Sequence, residues 1–445
     1  MKTMSPSVRR AGKTAVDGGW GWVITFSAFM HSFLVDGICF TFGTFVKHFL
    51  DYFGESNGKT QLLSSIISGT YLAMGLLSGP LTERFGCRRL AIIGIVLAST
   101  GLFLSTFSPN LDVMILLYGV VSGVGLGLVY TPSVVIVGHY FNKRRALATG
   151  IAVCGSGIGG FVFAPLSVIL IETYNWKGAL WILSAIVLNG VIFAAFYRPP
   201  PPASDSTFAD TKIYPNDNSH QRQFVLAFKQ TLPLLSSPTF ALYSLSGFLV
   251  CTGFYIPFNF LPVFASGLGL TAGEGAFLIS VMGISNTVSR VLVGLLTDQS
   301  WANSITINST MLFIGGIATC FVPLYATHAI LIAYAVLFGT TVGTFVALKS
   351  IILIELKGDK WLSNSLGLVN FLVSISVFIG SPIAGALSDI TESYDAAFYF
   401  AGGTIGLAGL MCFPLRCIAR WEHNRHPEKD ENTEPRLTSI WTIRK

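Results

Sequence analysis

Gly79-Pro80-Leu81-Thr82-Glu83-Arg84-Phe85-Gly86-Cys87-Arg88-Arg89 is a short basic turn set between two long apolar runs, and its reading decides the fold. One run begins near Gln61 ahead of it and another near Leu90 behind it. Each lasts about 20 to 25 residues, the length a helix needs to cross roughly 30 Å of hydrocarbon. A small residue at Gly79 lets two helices approach closely, and the acid at Glu83 can accept from an arginine or from a helix N-terminus. A latch of that kind opens one side of a helical bundle when it breaks. The plain alternative is an ordinary basic loop retained on the cytoplasmic side.

Outward from this turn the same alternation continues. Apolar residues make up 52% of the 445 and charged ones 11%, against roughly 25% charged in a soluble domain. Spans are predicted to begin at Trp22, Gln61, Leu90, Val113, Ala146, Gly178, Thr239, Gly275, Ser304, Ala329, Ser363 and Ala396. Open sheet edges would leave backbone groups unpaired in lipid, and the short alternating pattern of a membrane barrel is absent, so the spans are read as helices. Twelve of them put both termini on one side.

The basic residues say which side. Of 28 Lys and Arg, Lys47, Lys59 and Lys177 fall in loops on one face and Arg290 and Lys349 fall inside spans, which leaves twenty-three on the other face. Both termini are therefore predicted to be cytoplasmic. The net charge of +6 follows from this bias and from attraction to anionic membrane lipid, so no nucleic-acid partner is needed. Seven cysteines, odd in number and without a C-x-x-C pair, imply neither a disulfide framework nor a metal site. The apolar run after the basic N-terminal tail is too long for a secretory signal core and reads as an uncleaved insertion signal.

The longest interruption starts at Pro199-Pro200-Pro201-Pro202 and stays polar through Asp205, Asp210 and Asn216 to Asn218. It reads as a flexible linker that divides the spans six and six. The expected organisation is a cytoplasmic tail over 1–21, a first bundle over 22–197, a cytoplasmic linker over 198–238, a second bundle over 239–419 and a cytoplasmic tail over 420–445. The halves echo each other at an offset of about 216 residues, as parallel six-helix repeats do. Gly79 to Glu83 is answered by Gly294 to Asp298, and Gly385 to Asp389 repeats the small-to-acid spacing at the end of the eleventh span. Gly150, Phe161 and Pro165 are answered by Gly367, Phe378 and Pro382, with Lys143 and Lys360 just ahead of each helix.

The turn at Gly79, Glu83, Arg84 and Arg88 resembles the signature between helices two and three of the major facilitator superfamily. Asp17-Gly18-Gly19-Trp20-Gly21-Trp22, before the first span, and Tyr140-Phe141-Asn142-Lys143-Arg144-Arg145, before the fifth, are similar to the two hallmark segments of the monocarboxylate transporter family, a solute-carrier family of that superfamily. Trp176-Lys177-Gly178-Ala179 resembles that family's Trp-Arg-Gly-Ala run, with Lys for Arg. The resemblance covers the whole chain. It implies an all-α membrane protein of the major facilitator fold, twelve transmembrane helices in two six-helix bundles, working by alternating access. Trp20 and Trp22 also suit a membrane interface for purely architectural reasons. Gly155-Ser156-Gly157-Ile158-Gly159-Gly160 satisfies G-x-G-x-x-G, but a dinucleotide site needs a strand before it and a soluble βαβ unit around it. Inside an apolar span it reads as close helix packing.

Ionisable groups at membrane depth cost roughly 2.5 to 3.5 kcal/mol each unless paired or wetted, and default to a solute or proton pathway. Asp36, Arg290 and Lys349 qualify, with a structural ion pair as the alternative. The resemblance gives Arg290 the family's role of holding the substrate carboxylate, for which a guanidinium fork is suited. It also exposes two departures. Proton-coupled members carry Asp where this chain has Asn286, and Lys where it has Phe40. Substrate-binding candidates are therefore Arg290, Asn286, Asp36, Phe40 and Lys349. Gating candidates are Asp17, Gly79, Glu83, Arg84, Arg88, Lys143, Arg144 and Asp298.

His31, alone in the first span, reads as a packing residue, and Asn259 and Asn370 either line a cavity or cross-link helices. The function expected is a plasma-membrane secondary transporter of small monocarboxylates or related organic solutes, with proton symport left open and no other cofactor. The partners are a small organic solute, an anion on this reading, and membrane lipid, and by resemblance a single-span glycoprotein chaperone. Alternatives are a pH-independent carrier of zwitterions such as amino acids, creatine or carnitine, with Asp36 on the cationic group, and a non-transporting receptor of the same fold. An enzyme is disfavoured by the lack of any metal-ligand cluster or supported nucleophile and base.

Overall fold

The computed structural model describes residues 18–141, 144–198, 234, 236–297, 299, 302–325, 327–358 and 362–425. Its helices are α1 (Trp20–Phe40), α2 (Phe42–Phe53), α3 (Asn57–Phe85), α4 (Cys87–Ser105), α5 (Leu111–Met114), α6 (Ser122–Tyr140), α7 (Arg145–Leu188) and α8 (Gly190–Ala195). After residues 199–233, outside the described set, come α9 (Pro238–Phe254), α10 (Ile256–Gly267), α11 (Ala272–Thr297), α12 (Ser304–Cys320), α13 (His328–Lys357), α14 (Leu362–Thr391), α15 (Asp395–Cys412) and α16 (Leu415–Arg425).

Nine helical stretches among the described residues are long and apolar enough to cross a membrane. One of them, Leu147–Ala195, holds two crossings, because Asn175 breaks α7 with φ 58° and ψ 172°. The other two crossings are α12, apolar but only 17 residues long, and α3. Helix α3 is less apolar because it carries Thr60, Gln61, Ser64, Ser65 and Ser68, all buried. These groups face protein rather than lipid, which is how a polar stripe survives at membrane depth. A π-helical turn over Ile115–Val121 joins α5 to α6, and Ser56, Asn110, Ser237 and Asn303 cap helix starts through their side chains,.

The first half is built on α1 against α7 and α4 against α6, the second on α11 against α13 and α12 against α15. Between halves, α3 packs on α14, α7 on α11 and α2 on α10. Close glycine contacts set packing within the first half and between the halves. A methyl group at Gly155 or Gly159 would strike the carbonyl of Phe29 or Phe33 in α1, and one at Gly157 would strike Thr287 in α11. The glycine run read as helix packing does that work here.

Alternating direction puts Arg84, Arg88, Arg89, Arg144, Arg198, Lys357 and Arg420 at span ends on one face, called here the basic face. The halves are jammed together at the opposite face. A methyl group at Gly43 would overlap the Phe258 carbonyl, and one at Gly385 would lie 2.8 Å from the Gly58 Cα. Toward the basic face the four helices of the interface stand apart, since a methyl group at Gly79, Gly150, Gly294 or Gly367 would meet nothing within 4 Å. This is an arrangement closed at one face and spaced at the other.

Candidate functional site

Arg290 lies near the basic end of α11 and reaches across to the first half. Its Nε donates to Asn286 Oδ1 at 2.9 Å, one turn earlier on the same helix,. Its Nη1 donates to the Val153 carbonyl at 2.9 Å and its Nη2 to Ser156 Oγ at 3.0 Å, both on α7. Three of five guanidinium N–H groups are thereby used and two remain. Asn286 is fully buried and its Nδ2 has no hydrogen-bond partner.

Asp36, on α1 and 5% exposed, accepts from Tyr71 Oη of α3 at 3.2 Å. The Arg290 charge acts on its carboxylate. The two opposite charges make no direct ion pair.

Above this site, toward the opposite face, aromatic rings close the space between halves. Phe40 is 3% exposed and stacks on Phe258 of α10 at 4.7 Å, with Phe254 and Tyr255 at 6.3 and 6.1 Å. Phe40 thus belongs to the core of the second half although it sits on α1. Lys349, on α13, donates to Asn370 Oδ1 of α14 at 2.7 Å. It couples two helices of one half and lies within electrostatic reach of Arg290.

At the opposite face Asp389, in the last turn of α14, accepts from Asn57 N at 3.0 Å, Asn57 Nδ2 at 2.9 Å and Gly58 N at 2.8 Å. Those are the first residues of α3, so the carboxylate sits on that helix's positive end. Deeper in the same seam Asn259 of α10 donates through Nδ2 to Gln61 Oε1 at 3.0 Å and to Ser64 Oγ at 2.9 Å. It also reaches Ser381 of α14 at 3.3 Å. Asn259 therefore cross-links helices. The spacing Gly385 to Asp389 echoes Gly79 to Glu83, but α14 runs the other way, so its acid serves the opposite face.

Of the gating candidates, Asp17, Lys143 and Asp298 lie outside the described residues, and so does the side chain of Glu83. Arg84, Arg88 and Arg144 are exposed on the basic face, with the Arg84 guanidinium 5.5 Å from the Phe85 ring centre. Gly79 borders open space. The aromatic segment before α1 docks on other loops of that face. Trp20 Nε1 donates to the Phe196 carbonyl at 3.2 Å, Arg198 lies 4.5 Å over its ring, and Trp22 packs edge-on against Phe141 at 5.0 Å. At the other face Lys177 Nζ donates to Tyr52 Oη at 2.9 Å. His31 is buried between Tyr197 Oη at 2.6 Å and the Gly190 carbonyl at 3.1 Å, a satisfied packing residue.

Sequence reading missed Ser156 and Tyr71 as members of the central site, and Asp389 as a link between halves. Ser156 had the one available signal, a polar residue inside a glycine run at membrane depth.

The family model described as Major Facilitator Superfamily matches residues 22–356. The chain is 33% identical to monocarboxylate transporter 12 of Xenopus laevis over 433 residues, 95% of this chain and 94% of that one. It is 32% identical to monocarboxylate transporter 13 of Rattus norvegicus, covering 88% of each. It is 31% identical to monocarboxylate transporter 3 of the same animal, covering 92% and 83%. An all-helical chain in two packed halves, matched along nearly its whole length by such relatives, is a multi-pass membrane transporter and not an enzyme, and it belongs to the monocarboxylate transporter family of the major facilitator superfamily.

Proposed function

We propose that this chain carries small organic carboxylates across the plasma membrane by alternating access, with its basic face in the cytoplasm, and that Arg290 takes the carboxylate. The observation that carries the reading is the reach of Arg290. Its guanidinium belongs to one half and makes two of its hydrogen bonds to α7 of the other. An arriving carboxylate competes with the Val153 carbonyl and Ser156 hydroxyl for those N–H groups, and a charged, bidentate acceptor is the stronger partner. Binding therefore exchanges a direct contact between halves for one made through the solute. That gives the solute different affinities for two arrangements, which a carrier requires. The unpartnered Asn286 Nδ2 is a further donor for a carboxylate oxygen.

The names of the relatives support a carboxylate, and the excess of Lys and Arg on one face supports its cytoplasmic placement,. With Asn286 and Phe40 in the positions of the family's usual Asp and Lys, Asp36 is the acid on which a co-transported proton would ride. Melting of the purified protein tests the clamp. Saturating organic acid is expected to raise the Tm of wild type and to leave that of Arg290→Ala unmoved. Equal shifts in both would overturn it.

A further inference from the structure

We infer that the basic-face end of the last helix is a docking surface for anionic phospholipid, with Arg420 on the lipid phosphate and Cys417 and Trp421 beside the acyl chains. The surface is remote from the solute site and independent of what the chain carries.

Helix α15 presents one exposed stripe, Gly403, Leu407 and Leu410, three or four residues apart,. The stripe does not stop where the helix ends. It runs on through Phe413 and into α16 at Cys417 and Trp421, again at turn spacing and again exposed. The other side of α16 is fixed to protein. Leu415 is fully buried, and Glu422 accepts from the Thr239 hydroxyl at the start of α9 and from Lys357 Nζ, at 3.0 Å, at the end of α13. Helix α16 is thereby held against the second half with the outward face of α15 carried forward.

Helix length sets the depth. Asp395, the first residue of α15, is charged and stands outside the hydrocarbon. About 30 Å of helix, or about 20 residues, then ends near Leu415. Arg416 to Trp421 fall in the next roughly 5 to 8 Å, the headgroup zone. Turned to water, Phe413, Cys417 and Trp421 would be an apolar patch on a helix that already continues a lipid-facing stripe. At the interface the indole of Trp421 has the setting it favours.

The charge selects the lipid. Arg416 and Arg420 lie one turn apart beside the stripe, with Arg420 exposed, while Glu422, the one acid in Leu415–Arg425, is turned inward to Thr239 and Lys357. A guanidinium takes a phosphate through paired N–H groups. In phosphatidylcholine the choline cation offsets that phosphate, so a headgroup with net negative charge is preferred.

The test places one fluorophore on Cys417 of purified full-length protein, with the other cysteines replaced by serine. The liposomes carry a small fraction of chain-spin-labelled phosphatidylserine or, in a matched set, spin-labelled phosphatidylcholine. Both leaflets have the same composition, so the readout does not depend on which face of the chain is cytoplasmic. Wild type is expected to reach half-quenching at about fivefold less of the serine lipid, the enrichment one arginine near the surface supports. Arg420→Gln is expected to bring the ratio toward one, Arg420→Lys to keep most of it, and added salt to shrink it. Melting of each variant shows that it is folded. Quenching by neither lipid puts this face in water and overturns the docking surface. Equal quenching by both lipids in wild type, or a ratio that persists in Arg420→Gln, overturns the recognition of anionic lipid by Arg420.

Discussion

The contact between Asp389 and the start of α3 makes the most quantitative prediction. Asp389→Ala removes an ionised acceptor from three donors, Asn57 N, Asn57 Nδ2 and Gly58 N, at 2.8 to 3.0 Å. Hydrogen bonds to charged groups are worth about 1.5 to 3 kcal/mol when buried, and a charge at a helix N-terminus adds about 0.3 to 1 kcal/mol. Asp389 is exposed, so solvent screens it and the sum is discounted to about 2 kcal/mol. That shifts the balance between the arrangement closed at this face and the one open there by about thirtyfold toward the open one. The assay is a distance distribution between spin labels at Ser56→Cys and Ser393→Cys, with the reactive native cysteines replaced by serine. Asp389→Ala should add or enlarge a longer-distance population, and Gly385→Val, which drives a side chain into the Gly58 and Asn57 backbone, should do the same. An unchanged distribution in both folded variants would refute the assignment of this contact as a latch.

Other positions give further expectations. Gly157→Val pushes a side chain into Thr287 and the Gly283 carbonyl and should lower stability by about 1 to 3 kcal/mol, read as a fall in Tm together with loss of uptake. Phe40→Ala empties a stacked position between halves and should cost about 3 to 5 kcal/mol, visible as a lower melting temperature. Lys349→Met keeps most of the side-chain volume but removes a cation at membrane depth and the bond to Asn370. It should raise the KM for an anionic solute several-fold while changing Tm little, and an unaltered KM would confine Lys349 to joining α13 and α14.

Most of the helical layout was legible because lipid enforces it. Predicted starts at Trp22, Gln61, Leu90 and Ser304 fall within a few residues of helices starting at Trp20, Asn57, Cys87 and Ser304, since a span of fixed thickness leaves little choice of length. The break at Asn175 inside α7 was also marked, by the Trp176-Lys177-Gly178 segment. What could not be read was which side chains meet across helices. Asn286 entered beside Arg290 through the family resemblance, and the two lie one turn apart with a hydrogen bond between them. Ser156, 134 positions away from Arg290, has no sequence relation to it. The Gly385 to Asp389 spacing was legible as an echo, but a motif carries no sign of the direction of its helix. Asp389 found its partners at the start of α3 because α3 and α14 are paired across the two halves.

The central claim is that Arg290 couples a carboxylate to the movement of the two halves. Its most direct test is initial uptake of labelled lactate, pyruvate, butyrate, creatine and carnitine by wild type and Arg290→Ala in matched liposomes, with and without an imposed pH gradient. Wild type is expected to move at least one of these well above empty liposomes, and Arg290→Ala to lose that uptake. A folded Arg290→Ala that transports every acid as wild type does would contradict it.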